Sequence, residues 1–279
     1  MTQMITQTMN PFAPPAVPST TECKCCGGAS TLVAVMDASR SGLDARAACA
    51  VEALSGGAVY YHRCRSCGFT FTRAFDHFTA DDFTLRIYNA DYGRHDPAYT
   101  NGERGTRTAA DMMRSFSFGA QAAQLSVLDW GSGEGSFAAA LRQHGFVHVE
   151  SYDPFVAGSS VRPSGRHDMV TCFEVIEHVL DPKALVADLA ACRASQGAIL
   201  ISTLLCSAQV IDFGLQNWHY CVPRNGHISF MTAQALLYCA AQVGLRAHSF
   251  SEGVHVMFDP AATPDWLAPV LPKLVDGSL

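Results

Sequence analysis

The sequence predicts an α/β fold: a mostly parallel sheet with helices on both faces, closed by an antiparallel hairpin and preceded by a small cysteine-bearing module. Three observations carry this expectation. Strand-like and helix-like runs alternate from Leu125 onward, the pattern of repeated βα units. A glycine-rich turn, Gly131-Ser-Gly-Glu-Gly135, joins the first of those strands to the first of those helices. Two C-x-x-C-G pairs, Cys23 with Cys26 and Cys64 with Cys67, lie upstream of the alternating region.

In chain order, residues 1–21 are rich in Pro, Ser and Thr and read as a disordered leader. Residues 22–75 hold both cysteine pairs, with β-like pieces at 31–36 and 58–62 separated by small residues that include Ser55, Gly56 and Gly57. Residues 76–119 read as a linker or lid, irregular and aromatic at first and helical over 104–118. Residues 120–279 form the main domain. Its first strand covers 126–129, and a helix over 136–144 stops at Gly145. Further strands are predicted at 147–153, 168–173 and 198–203. Asp181 followed by Pro182 reads as a helix cap and first turn, and Thr232 as the cap of a helix ending at Gly244. The last two strands, 245–250 and 254–258, are close enough to form the hairpin.

Composition excludes several classes. The chain has 279 residues, enough for one full-sized domain and an appendage. With 48% hydrophobic and 16% charged residues it is not disordered as a whole. It has no apolar run of the roughly 18 residues that a spanning helix needs. Its N-terminal stretch lacks the basic and apolar regions of a secretion signal. The net charge is −6, the acidic excess lies C-terminal of residue 120, and no Lys/Arg cluster is present, which argues against nucleic acid as a partner. Eleven cysteines without an export signal point to a reducing cytoplasm, and to thiols or metal rather than disulfides.

The glycine-rich turn follows a strand and opens a helix, a setting in which bare backbone can lie against a ligand. Asp153 ends the next strand, where an acid can accept from ribose hydroxyls. The dinucleotide fingerprint G-x-G-x-x-G would need glycine where Ser136 stands, so the pyrophosphate motif is not met.

These residues, together with Tyr152-Asp153, the segment from Asp168 to Glu177-His178 and the closing hairpin, resemble class I S-adenosylmethionine-dependent methyltransferases over about residues 105–260. The resemblance implies a Rossmann-like sheet of seven strands, the last antiparallel, and S-adenosylmethionine as cofactor. Gly131, Ser132, Gly133 and Gly135 would lie against its methionine part, with Asp129 near the ammonium. Asp153 would hold the ribose, Pro154 and Phe155 would flank the adenine, and Phe173 and Glu174 complete the set.

Each C-x-x-C-G knuckle directs two thiolates at one point, and two knuckles complete a four-sulfur zinc site. Cys23, Cys26, Cys64 and Cys67 are the expected ligands, with Cys25 an alternative in the first knuckle. With every position filled by protein, the metal would be structural. Cys49, Cys172, Cys192, Cys206, Cys221 and Cys239 lie in apolar surroundings and read as small buried hydrophobes. The zinc module, the run after Cys67, the segment 87–92 and the run around Trp218-His-Tyr220 resemble bacterial methyltransferases associated with sugar and polysaccharide modification. That resemblance implies a small-molecule or glycan acceptor.

A hydroxyl acceptor must lose its proton, so a His or carboxylate near the transferred methyl is expected. The end of the 168–173 strand carries Glu174, Glu177 and His178, and His178 is the leading candidate for general base. His219, Tyr220 and His227 lie on a long segment that either covers the acceptor or packs on the sheet. Tyr88, Tyr92 and Tyr99 are candidates for an aromatic lid or for core. Arg104 and Arg107, three apart on a helix, suit an anionic group on a substrate or a solvated face. The spacing E-x-x-E-H also resembles ubiquinone-biosynthesis O-methyltransferases, where such a segment is linked to a divalent metal. A Mg2+ held by Glu174, Glu177 and His178 is therefore the alternative to the metal-free base, and the less favoured one. The leading function is O-methylation of a sugar, glycan or other small hydroxyl compound. An RNA methyltransferase and a non-catalytic zinc- and cofactor-binding protein are the alternatives. The oligomeric state is not readable from the sequence.

Overall fold

A computed structural model describes residues 19–97, 102–116 and 118–271. Most of the expected leader, 1–21, lies outside these residues, as does Tyr99; Thr20 and Thr21 belong to a strand instead.

The N-terminal part is an antiparallel sheet. β1 (Thr20–Glu22) pairs with β2 (Ala29–Asp37), which pairs with β3 (Ala58–Cys64), which pairs with β4 (Thr70–Thr72). The main sheet begins with four parallel strands, β5 (Ser126–Trp130), β6 (His148–Tyr152), β7 (His167–Phe173) and β8 (Arg193–Ser202). A two-residue strand, β9 (Ser229–Phe230), returns to the N-terminal sheet and pairs with β4, placing Phe230 opposite Thr70. The expected hairpin forms from β10 (Arg246–Ser249) and β11 (Val254–Phe258), and β11 runs antiparallel to β8.

The main sheet therefore has the order β10-β11-β8-β7-β5-β6, six strands among the described residues and not seven. The missing strand belongs between β6 and β7. Residues 153–166 there hold only turns, and a further βα unit with its own strand takes about 30 residues. The order matters for function. β5 is flanked by β6 on one side and β7 on the other, so the chain leaves it in two directions and a crevice opens at the carboxyl ends of β5 and β7.

Helices cover both faces, as the alternation predicts. On one side Glu103–Ser115 crosses Ser136–Gln143; on the other lie Pro182–Cys192 and Ala233–Gln242. The caps are those expected: Asp181 accepts from the amides of Lys183 and Ala184, and Thr232 from that of Ala235. Between β7 and the helix capped by Asp181, Ile176–His178 form a single turn.

Of three buried clusters, two tie the N-terminal sheet to the rest of the chain. One runs from Phe69 and Phe71 to Leu189, Leu236 and Cys239, so the cysteine-bearing module sits on the second helical layer. A second, with Met112, Phe137 and Trp266, fills the opposite face of the main sheet. The third joins Tyr61 and Phe83 to Leu215, Tyr220 and Phe230, so that the segment after β8 is core to the N-terminal sheet. The boundaries read at 75 and 119 are thus crossed by backbone pairing and by packing. Among the described residues, no helix is long and apolar enough to cross a membrane.

Candidate active site

The glycine-rich turn is shaped by its neighbours. The amides of Gly131 and Ser132 both donate to the Tyr152 carbonyl, at 2.7 and 3.1 Å, which folds the turn back over β6. Gly131 has φ 76°, and a Cβ there would sit 2.3 Å from Val175 Cγ2, so only glycine fits. The Gly133 amide donates to Asp153 Oδ2 at 2.9 Å, and the Phe155 amide to Asp153 Oδ1 at 2.9 Å. Asp153 is thereby fixed at the mouth of the crevice with lone pairs to spare.

Asp129 lies beneath the turn and is 3% exposed. Thr171 Oγ1 donates to its Oδ1 at 3.2 Å, while its Oδ2 is buried without a partner. Burial pushes the Asp129 carboxyl up to about 7. A buried carboxylate with one idle oxygen, lining a ≈ 110 Å³ cavity with Gly131, Gly133 and Glu174, fits a cationic ligand group.

A larger cavity of ≈ 410 Å³ adjoins it, lined by Tyr88, Trp130, Asp153, Phe155, Val175 and His178. Tyr88 and Phe155 meet with ring centroids 4.7 Å apart. Its flat, apolar walls beside Asp153 suit a nucleoside. Tyr88 and Tyr92 both line this cavity. Pro154 and Phe155 are both exposed at the rim. Two more cavities, of ≈ 400 and ≈ 310 Å³, open on the other side, both lined by His219 and Tyr220. Arg107 and Phe173 line the first and His227 the second. Arg104 and Glu174 line all four.

Glu174 is held in an uncommon conformation. It follows β7 with φ 54°, one of two non-glycine residues with positive φ among those described. Its amide donates to the Ser202 carbonyl and to Ser202 Oγ, both at 3.0 Å. Ser202 Oγ donates to Glu174 Oε1 at 2.8 Å, and the Tyr220 hydroxyl lies 3.0 Å from Oε2. Arg104, which also faces this space, is paired through Nη2 with both oxygens of Asp96, at 2.8 and 3.0 Å.

The rest of the E-x-x-E-H segment turns inward. Glu177 has no exposed surface, and its Oε1 meets the Tyr220 hydroxyl. Burial raises the Glu177 carboxyl well above its usual range, and the charge of Glu174 adds to this. His178 and His227 pack edge to face at 4.7 Å. Burial holds His178 well below its usual value and His227 down at about 4, so both rings are neutral. Gly226, at φ 89°, lets the chain pass His178, whose Nδ1 would be 2.9 Å from a Cβ there. His227 Nδ1 donates to the Tyr220 carbonyl at 2.7 Å. His219 is exposed and contributes no hydrogen bond to this group.

The expected Mg2+ set does not assemble. The donor atoms within 4.8 Å of one another belong to Glu177, His178 and His227, without Glu174. A protonated acid and two imidazoles are a poor match for a cation that takes ionised oxygens in an octahedron. Glu177 and His227 are instead each hydrogen-bonded to Tyr220, and His178 packs on His227.

The four predicted thiols do assemble. Sγ atoms of Cys23, Cys26, Cys64 and Cys67 lie within 4.8 Å of one another, with Cys23 and Cys67 at 3.8 Å and Cys26 and Cys64 at 3.4 Å. A tetrahedron with Zn–S near 2.3 Å has edges of about 3.8 Å. Amides of Cys26, Ser66 and Cys67 point at the sulfurs at 3.3–3.5 Å. Burial works to raise the Cys64 thiol, but the amides of Cys67 and Ser66 outweigh it and bring it down to about 6. Cys25 points away, 3.6 Å from Cys239 Sγ, and is not the alternative ligand. Cys49, expected among the buried thiols, is exposed.

Sequence reasoning weighed Tyr220 without assigning it a role, and it missed Ser202, Asp96 and Thr171. Ser202 is the last residue of β8, one place past a buried apolar run, which is the available signal.

The family described as "Methyltransferase domain" matches residues 102–249. The ubiquinone biosynthesis O-methyltransferases of Bordetella pertussis and Bordetella bronchiseptica are each 35% identical over 86 residues, covering 29% of this chain and 36% of theirs. The chain thus spans about a third of the length of these curated relatives. Among solved structures, an O-methyltransferase family protein from Burkholderia thailandensis is 14% identical with TM-score 0.46, covering 67% of this chain and 64% of that one. The magnesium protoporphyrin IX methyltransferase of Synechocystis PCC 6803 with bound SAH is 15% identical with TM-score 0.42, covering 66% and 95%.

Asp129 gives the site a pH signature. Its folded-state value, about 7, lies above the ordinary 3.8, so the folded protein holds this proton more tightly than the unfolded chain. That stability is full below the ordinary value and is lost as pH rises through about 7. Urea midpoints of the ligand-free protein should fall over this window, and Asp129→Asn should flatten the fall. Identical profiles for the two proteins would show that Asp129 is not desolvated.

Proposed function

This chain belongs to the methyltransferase-domain family, and on that premise we propose that it is an S-adenosylmethionine-dependent methyltransferase acting on the hydroxyl of a small acceptor. One observation carries the reading: Glu174 and Arg104 line both the cavities beneath the glycine turn and the two beside Tyr220, so the two sides meet at one carboxylate.

The residues fit the cofactor. The idle Oδ2 of Asp129 would take its ammonium, Asp153 its ribose, and the walls of Tyr88, Trp130 and Phe155 its adenine. When bound, S-adenosylmethionine supplies a methyl on a sulfonium; the acceptor oxygen forms the new C–O bond as the S–C bond breaks, with the electron pair remaining on sulfur. Asp129, Asp153 and the glycine turn bind and orient. Glu174, whose oxygens already accept from Ser202 and Tyr220, is the group placed to take the acceptor's proton. The base role thus moves from His178, which faces the nucleoside-side cavity, to Glu174.

Transfer to oxygen agrees with the name of the matched Bordetella enzymes, O-methyltransferases. The acceptor-side cavity carries Met112, Phe116, Leu200 and Leu204, which supports an acceptor with an apolar face more than a free sugar. Calorimetry with S-adenosylhomocysteine should show binding that Asp153→Ala weakens by about 1–3 kcal/mol, the usual cost of lost hydrogen bonds to a charged group. On a panel of phenolic, catecholic and sugar acceptors, Glu174→Gln should lower turnover of the accepted compound by about 10²–10⁴-fold. Unchanged turnover would remove Glu174 as the base, and unchanged affinity would place the ribose elsewhere.

The four-thiol cluster would hold a structural zinc, since all four positions are protein sulfurs. Elemental analysis should return about one zinc per chain. A Cys64→Ser/Cys67→Ser protein that keeps its zinc would sink this assignment.

A further inference from the structure

Tyr220, Glu174 and Glu177 pose a proton-counting problem. The Tyr220 hydroxyl stands between two carboxyl groups, within hydrogen-bond reach of Glu177 Oε1 and 3.0 Å from Glu174 Oε2. It carries one hydrogen and can donate it to only one of them. Were both glutamates ionised, one oxygen pair would face each other with no proton between them in a buried space. One more proton must therefore reside on a carboxyl.

The surroundings say which one. Glu174 Oε1 already accepts from Ser202 Oγ, and Arg104 stands in the same space, so Glu174 is equipped for a negative charge. Glu177 has no exposed surface and no cation beside it. The groups facing it are Glu174, the Tyr220 and Thr203 hydroxyls, the Cys172 thiol, and the two imidazoles of His178 and His227. Burial keeps Cys172 protonated and both rings neutral. His178 Nε2 stands 4.0 Å from Glu177 Oε1, beyond a hydrogen bond.

We propose that Glu177 is a neutral carboxylic acid that donates to the Tyr220 oxygen, and that Tyr220 in turn donates to Glu174 Oε2, so that the pair positions Glu174. This rests on the reading of Glu174 as base. With Ser202 on one oxygen and Tyr220 on the other, the carboxylate cannot rotate freely, and its remaining lone pairs are fixed relative to the cavity wall. Tyr220 and Glu177 are positioning residues: they act through Glu174. Thr203 Oγ1, 3.4 Å from the Tyr220 hydroxyl, is the neighbouring polar group of the chain.

Infrared difference spectroscopy on the full chain with S-adenosylhomocysteine, at about pH 8 where Asp129 is ionised, tests this without any acceptor. The wild type should show a protonated-carboxyl C=O stretch. That band should be absent from Glu177→Gln, whose amide can still donate to Tyr220, and retained in Glu174→Gln. In Tyr220→Phe it should move to higher frequency, because the acid loses its acceptor. In the same variant the Glu174 carboxylate band should protonate at higher pH than in the wild type, having lost a donor. A band that survives Glu177→Gln puts the proton elsewhere and overturns the assignment. An unmoved Glu174 midpoint in Tyr220→Phe overturns the positioning role. If Glu177→Gln does not fold, the displacement in Tyr220→Phe decides. Turnover is not read here, so a Glu174→Gln enzyme that keeps its activity removes the base and leaves the proton assignment to the spectra.

Discussion

The placement of the chain between β8 and the helix Ala233–Gln242 governs most of what the crevice can do. This stretch carries Tyr220 and His227, yet it has little regular structure to hold itself in place. It is held from outside. β9 pairs with β4, the Tyr61 hydroxyl donates to the His227 carbonyl at 2.9 Å, and Arg40 and Arg63 donate to the carbonyls of Cys221 and Cys206. Asn225 bridges the Gly42 amide and the His95 carbonyl. Every one of those partners lies N-terminal to the region that matches the methyltransferase-domain family. The small sheet is therefore part of the machinery's frame, and the cysteine cluster sits at the end of β3 and the turn beyond it.

The same arrangement explains why so many ionisable groups can share one buried space. Two glutamates, a tyrosine, two histidines and a thiol lie within a few side-chain lengths of one another, and most are uncharged. Desolvation favours the neutral form of each, and hydrogen bonds supply what solvation would have given. Charge is concentrated at the crevice wall, on Glu174 and Arg104, and Arg104 is tied to Asp96. The positive φ of Glu174 is part of this economy: the backbone turns so that the side chain reaches Ser202 and Tyr220 together, and the two hydrogen bonds of its amide hold the strained turn in place.

The readable parts of the sequence are those whose chemistry acts over short spacing. The glycine turn, Asp153, the helix caps at Asp181 and Thr232 and the two cysteine knuckles each announce themselves within about ten residues. Cys25 was open on spacing alone and is resolved only by Cys239, more than two hundred positions away. The pairing of β9 with β4 could not be read either, because two residues carry no alternation. Tyr220 and Ser202 act on Glu174 only because three separate segments converge there. The seven-stranded expectation came from a resemblance, and the short connection 153–166 departs from it. His178 reads as the base in the sequence because a histidine beside two glutamates is a common catalytic pattern; its packing against Gly226 and His227 and its place on the nucleoside-side cavity are not readable from that pattern.

The β4–β9 pairing also bears on how the chain reaches this state. Until residue 230 has left the ribosome, β4 is an open edge, and Phe71 on it has lost the strand it will lie beside. Closing that contact joins residues about 160 positions apart, a long-range pairing of the kind that slows folding. The N-terminal sheet is thus made first and finished last, with an unpaired, aromatic edge available to any other extended chain in the interval.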